Sequence, residues 1–108
     1  GKEEAECALC GKFLPSRLIV AAHIKPRSEC SLKERTDINV VMPVCKIGCD
    51  DLFEKGYIWV NNLGVIETEN HNKSDLGLVL KEYEGKTCKY FKQESKEYFK
   101  FRNELNFR

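Results

Sequence analysis

The apolar residues of this chain fall in short runs that first alternate like strands and later recur like helices. "LIVAAHI", residues 18–24, is rich in β-branched and small apolar side chains and stops at Pro26, which has no N–H to offer a ladder. It predicts a strand ending near His23. "SLKERTD" is polar and predicts a turn or short helix, after which "INVVMPVC" is a second apolar run, broken by Pro43. "CDDLFEKG" has the length of a short helix closed by Gly56, and "YIWVNNLGVIET" reads as a β-hairpin around an Asn-Leu-Gly turn.

From Ser74 the period changes. "SDLGLVLKEYEG" predicts a helix with Ser74 as N-cap and Gly85 as its stop. In the last segment Phe91, Tyr98, Phe101 and Leu105 fall on one helical face, a stripe that reads as core packing. The order of strand, loop, strand, short helix, hairpin and then helices predicts an α+β module. Its 108 residues fit a single domain, 1–108, or one module of a longer protein.

Charge changes this picture little. The net charge is +1. Residues 1–35 carry 7 Lys/Arg against 5 Asp/Glu, residues 36–80 carry 3 against 7, and residues 81–108 carry 8 against 5, so an acidic middle is flanked by mildly basic ends. No run is long enough to span a membrane and "GKEEAEC" has no apolar h-region, so the expected location is cytoplasmic, with no membrane partner.

The cysteines add more. Cys7 and Cys10 stand in "CALC", and Cys45 and Cys49 in "CKIGC". Two such pairs supply the four thiolates of a closed tetrahedral Zn²⁺ site, which in structural sites admits no water. The alternative is four buried thiols or two disulfides, which a reducing compartment disfavours. Cys30 and Cys88 are left over and read as small buried hydrophobes.

Phosphodiester hydrolysis needs a base for water, a hard cation for the developing charge, and a group that holds the base. His23, Asn39 and Asp50 supply those chemistries within the cysteine framework, although each also has an ordinary structural explanation. Lys25 and Arg27 flank Pro26 beside His23 and could pair with phosphates on either side of a scissile one. His71, in "ENHNK", matches no motif and reads as a surface residue.

Taken in order, "CALC", "AAHIKPRS", "DINVVMPVC" and "CDDLFEKGYIWVNNLGVI" resemble the HNH endonucleases with the ββα-metal fold, over roughly residues 7–67. The resemblance implies a ββα-metal core with a four-cysteine zinc site, a β-hairpin and additional C-terminal helices. It assigns His23 as general base, Asn39 as the residue that positions the base loop, and Asp50 as ligand of a catalytic Mg²⁺ or Mn²⁺, with Asp51 as fallback. Ala22 stands where many members carry a further metal ligand. By the same resemblance the partner is DNA. The setting is a bacterial restriction or antiphage system, in which a covalently linked sensor or recognition domain lies outside this segment. The competing expectation is a zinc-stapled nucleic-acid-binding module without catalysis.

Overall fold

The computed structural model describes residues 3–69 and 73–107. His71 lies outside them. Three two-stranded antiparallel ribbons and four α-helices make a mixed α/β fold.

The first ribbon pairs β1 (Glu4–Glu6) with β2 (Phe13–Pro15) and presents "CALC" in the turn between them, where the Cys7 N–H reaches the Lys12 carbonyl at 2.9 Å. The second pairs β3 (Ile19–His23) with β4 (Val41–Cys45), His23 facing Val41 at one end and Ile19 facing Cys45 at the other. β3 lies within the first predicted apolar run and β4 makes up the end of the second, whose first three residues, Ile38–Val40, form a 3-10 turn instead. Ala22, Met42 and Val44 turn inward at alternate positions and are buried, as a period of two requires.

Pro43 sits inside β4 without costing a ladder bond. Its carbonyl accepts from the Ala8 N–H at 2.7 Å, so its N and O face the cysteine turn rather than β3. That bond also ties the first ribbon onto the second.

Between β3 and β4, helix α1 (Leu32–Arg35) starts with a capping box in which the Ser31 hydroxyl accepts from the Glu34 N–H and the Glu34 carboxylate from the Ser31 N–H. After β4 comes α2 (Cys49–Glu54), which packs on β4. It ends as "EKG" predicts: Gly56 takes φ +79°, the Tyr57 N–H reaches back to the Leu52 carbonyl and the Gly56 N–H to that of Phe53. This is the Schellman closure, which satisfies two orphan carbonyls. Phe53 is 1% exposed, and its truncation to Ala should cost about 3–5 kcal/mol.

The third ribbon is the predicted hairpin, β5 (Ile58–Val60) with β6 (Ile66–Thr68). The Asn61 side chain closes its turn by accepting from the N–H groups of Leu63 and Val65. Gly64 cannot be replaced there, because it has φ +83° and a Cβ on it would stand 2.8 Å from the Phe91 ring.

Helix α3 (Asp75–Lys81) is capped by Ser74 as expected, but ends at Lys81, four residues before Gly85. The last helix, α4 (Lys96–Asn106), begins after Phe91, so the predicted stripe is only partly helical. Its most buried residues are Phe99 and Arg102, and both Tyr98 and Phe101 have polar or charged partners. Among the described residues no helix is long and apolar enough to cross a membrane.

Candidate metal and catalytic sites

The ligand sulfurs of Cys7, Cys10, Cys45 and Cys49 all lie within 4.8 Å of one another. Four sulfurs at about 2.3 Å from one tetrahedral zinc stand about 3.8 Å apart, so the cluster fits zinc. Cys7, Cys45 and Cys49 are buried, and no described cysteine forms a disulfide. The fold brings the pairs together by joining the "CALC" turn to the far end of the second ribbon, where Cys45 closes β4 and Cys49 opens α2.

Polar groups favour thiolate at Cys7. The Cys45 N–H points at the Cys7 sulfur at 3.3 Å and the Cys10 N–H at 3.5 Å. The Cys7 thiol is lowered from its ordinary value, first by the bond it accepts from Cys49 and then, against the effect of burial, by these N–H groups. Cys49 is pushed up by the same bond and by burial. Tyr83, from the turn after α3, places its hydroxyl 3.0 Å from the Cys49 sulfur. Burial and the Cys49 contact push this phenol up, so it keeps its proton.

His23 lies at the opposite end of the second ribbon from the cysteines and is half-buried. Its backbone is fixed on both sides. The Ile24 N–H donates to the Val40 carbonyl at 2.7 Å. On the other side Arg102 of α4 donates from Nη2 to the His23 carbonyl and from Nε to the Ile24 carbonyl, each at 2.8 Å. Arg102 is 3% exposed. Its Nη1 approaches Glu54 Oε2 on α2 at 3.5 Å, and its guanidinium carbon stands 4.9 Å from the centre of the Phe53 ring. Burial lowers its pKa while Glu54 opposes that effect.

Asn39 lies just before β4, at the His23 end of the ribbon. Its backbone N–H and side-chain Nδ2 both donate to Asp37 Oδ1, at 2.9 and 3.2 Å. Asp37 Oδ2 in turn accepts from the Tyr98 hydroxyl at 2.6 Å. Among the described residues no hydrogen bond joins the Asn39 side chain to residues 23–30.

The two cations after His23 have different surroundings. Lys25 Nζ lies 3.0 Å from Glu34 Oε1 and 4.3 Å from the centre of the Phe101 ring, and its side chain is only 14% exposed. Its charge is thus spent inside the protein. Arg27 is exposed and forms no ion pair among the described residues.

Asp50 and Asp51 occupy the first turn of α2. Asp51 is exposed and pairs with Lys55 at 3.5 Å, one turn along the helix. Asp50 is half-buried and has no ion-pair partner among the described residues. Four residues separate it from Glu54, so both lie on one stripe of α2, and Glu54 is the residue that meets the Arg102 clamp. The sole cluster of three or more potential metal ligands among the described residues is the cysteine one.

The sequence does not single out Tyr83, Asp37 or Arg102, and it places Tyr98 only in a core-packing stripe. The Asx-type spacing "DIN" could have flagged Asp37. No local signal marks Arg102, whose partners lie 78 and 79 residues away.

A four-cysteine cluster that fits zinc at one end of a β-ribbon, where a short helix begins, and a histidine at the other end mark a small mixed α/β domain. The family model for HNH endonuclease matches residues 7–62, and the chain belongs to that family, whose membership points to nuclease activity. The matched span contains the four cysteines, His23, Asn39 and Asp50, whereas Tyr83, Tyr98 and Arg102 lie beyond it. No curated protein matches the chain.

Proposed function

We propose that this chain is a metal-dependent HNH endonuclease domain that hydrolyses DNA phosphodiesters, with β3, β4 and α2 as its ββα-metal core. The observation that carries the reading is the position of His23 at the anchored free end of a zinc-type ribbon, within the family-matched span. Asp50, with no ion-pair partner among the described residues, stands on the helix packed against that ribbon.

Water attacks phosphorus in line while His23 takes its proton. The P–O3′ bond breaks, leaving a 5′ phosphate and a 3′ oxygen that is protonated from solvent. Asp50 would hold Mg²⁺ or Mn²⁺, which when bound stabilises negative charge on the phosphate and leaving oxygens. One carboxylate suits such an ion when waters and substrate phosphates complete its shell, as is usual for Mg²⁺. Ala22, 8% exposed and without a donor atom, contributes nothing to it. Asn39, fixed by Asp37, shapes the free end of the ribbon.

Arg27, exposed beside the ribbon end, is the phosphate contact; Lys25 supports the loop from inside. The weak positive charge fits a cutting module spanning residues 1–108 that relies on a linked sensor or recognition domain for affinity. That arrangement belongs to cytoplasmic restriction or antiphage systems.

A plasmid-nicking assay with Mg²⁺, Mn²⁺ or EDTA tests the proposal. Supercoiled DNA should be nicked with either metal and not with EDTA. No cleavage under any metal, alone or in the full-length protein, would leave the binding module as the better reading.

A further inference from the structure

We propose that Arg102 is a positioning residue for His23: its guanidinium, bonded to the carbonyls of His23 and Ile24 and abutting α2, fixes the orientation of the base relative to Asp50. This inference rests on the role of His23 proposed above.

The geometry is specific to a planar fork. Nε and Nη2 of one guanidinium meet two successive carbonyls at 2.8 Å each, which a point-charge ammonium cannot reproduce. With the Ile24 N–H held by Val40, the peptide that follows the His23 Cα is bonded through its N–H and its carbonyl, leaving the ring only its own torsions. The same guanidinium lies against Phe53 and reaches Glu54, so the base strand and the helix bearing Asp50 are referenced to one rigid group.

The neighbours of Arg102 on α4 act on the same loop. Tyr98, one turn earlier, bonds Asp37, which holds Asn39, and Phe101 lies under Lys25. Residues 98, 101 and 102 therefore grip both sides of the segment joining β3 to β4. A merely structural arginine would be expected at any buried carbonyl; this one is bonded to the residue whose ring must meet water and phosphorus, and displacement of about 1 Å there can cost a hundredfold in rate.

The test compares Arg102→Lys, Glu54→Gln and Phe99→Leu with the parent. In Arg102→Lys, kcat for nicking should fall at least about tenfold while KM for DNA and zinc content stay within about twofold. The His23 Cε1–H signal in a ¹H–¹³C NMR spectrum should shift or broaden. Glu54→Gln leaves both carbonyl bonds in place and weakens only the tie to α2, so the His23 signal should match the parent while kcat falls less than in Arg102→Lys. Phe99→Leu loosens the buried face of α4 without touching those carbonyls, and should lower stability while keeping kcat per folded molecule.

A parent-like rate and His23 signal in Arg102→Lys would overturn the proposal. So would a Glu54→Gln variant whose His23 signal moves as far as that of Arg102→Lys, because both carbonyl bonds remain in it. If the parent does not cleave, the nuclease reading fails, and the NMR comparison still decides whether Arg102 holds His23.

Discussion

Tyr98 and Asp37, 61 residues apart, meet in a hydrogen bond of 2.6 Å between hydroxyl and carboxylate. Asp37 uses its other oxygen to hold both the backbone and side-chain N–H groups of Asn39. The last helix thereby fixes a residue at the free end of the β3–β4 ribbon, beside His23.

This bond has a pH signature at both ends. Asp37 is held below its ordinary 3.8, first by the Tyr98 hydroxyl and then by the Asn39 N–H. Tyr98 is pushed up from 10.0 to about 12, chiefly by Asp37. A depressed carboxyl contributes stability above its unfolded pKa and loses it as pH falls through the folded one. A raised phenol contributes below its unfolded pKa and loses it as pH rises toward the folded one. Tyr98→Phe should therefore lower the denaturation midpoint between about pH 5 and 9, with the difference shrinking below about pH 4 and between about pH 10 and 12. Equal destabilisation of parent and variant across the whole range would refute the linkage.

The cysteine cluster predicts one structural zinc ion per chain. Because the ligands converge only in the folded chain, metal affinity is also folding energy. Cys10→Ser should lose zinc by elemental analysis and unfold at lower denaturant concentration, and a strong chelator should do the same to the parent. A variant that keeps the parent's stability without zinc would remove the structural role.

Tyr83 sets a finer test. Its hydroxyl lies 3.0 Å from the Cys49 sulfur and outside the ligand set, and loss of such a partner commonly weakens metal affinity tenfold to a hundredfold. In competition with a chromophoric chelator, Tyr83→Phe should release zinc at lower chelator concentration while still folding with zinc bound.

The parts legible in the sequence were those with a local cause. The β-rich runs around His23 and Met42 became β3 and β4, Gly56 stopped α2, and the paired spacing of Cys7, Cys10, Cys45 and Cys49 announced the cluster. The first ribbon was not legible, because its strands are three residues long and "EAE" has no apolar alternation. Lys25 read as a phosphate contact because Glu34 and Phe101 reach it only through the fold. Arg102 was missed for the same reason: a guanidinium is rarely buried, and the carbonyls that make it tolerable are remote in sequence. Phe91 shares a helical period with Tyr98, yet lies in the segment before α4 and packs its ring against Phe99 instead.

His23→Ala should reduce nicking by about a hundredfold to ten-thousandfold, the usual contribution of a positioned general base. The side chain is half-buried at a strand end and its held groups are backbone, so fold and zinc content should be retained. A variant that nicks at the parent's rate would assign the base elsewhere, and His71 is the other imidazole to replace.

Asp50 and Asp51 are adjacent acids that the structure treats differently, and Asp50 is the proposed ligand of the catalytic metal. Asp51 is turned to solvent and paired with Lys55, whereas Asp50 shares its stripe of α2 with Glu54, which meets the Arg102 clamp behind His23. A carboxylate in this place favours hard cations, so Mg²⁺ and Mn²⁺ should support cleavage better than softer ions. An ion held by Asp50 alone, as proposed, would be bound mainly once DNA supplies phosphate oxygens, and affinity for the free protein should be weak. Asp50→Asn keeps the shape and removes the charge. It should raise the metal concentration for half-maximal cleavage by about tenfold or more, a loss of about 1.4 kcal/mol in metal binding, with zinc content and fold unchanged. Asp51→Asn should match the parent. A titration in which Asp51→Asn carries the defect and Asp50→Asn does not would move the ligand by one residue and turn the working face of α2 toward Lys55.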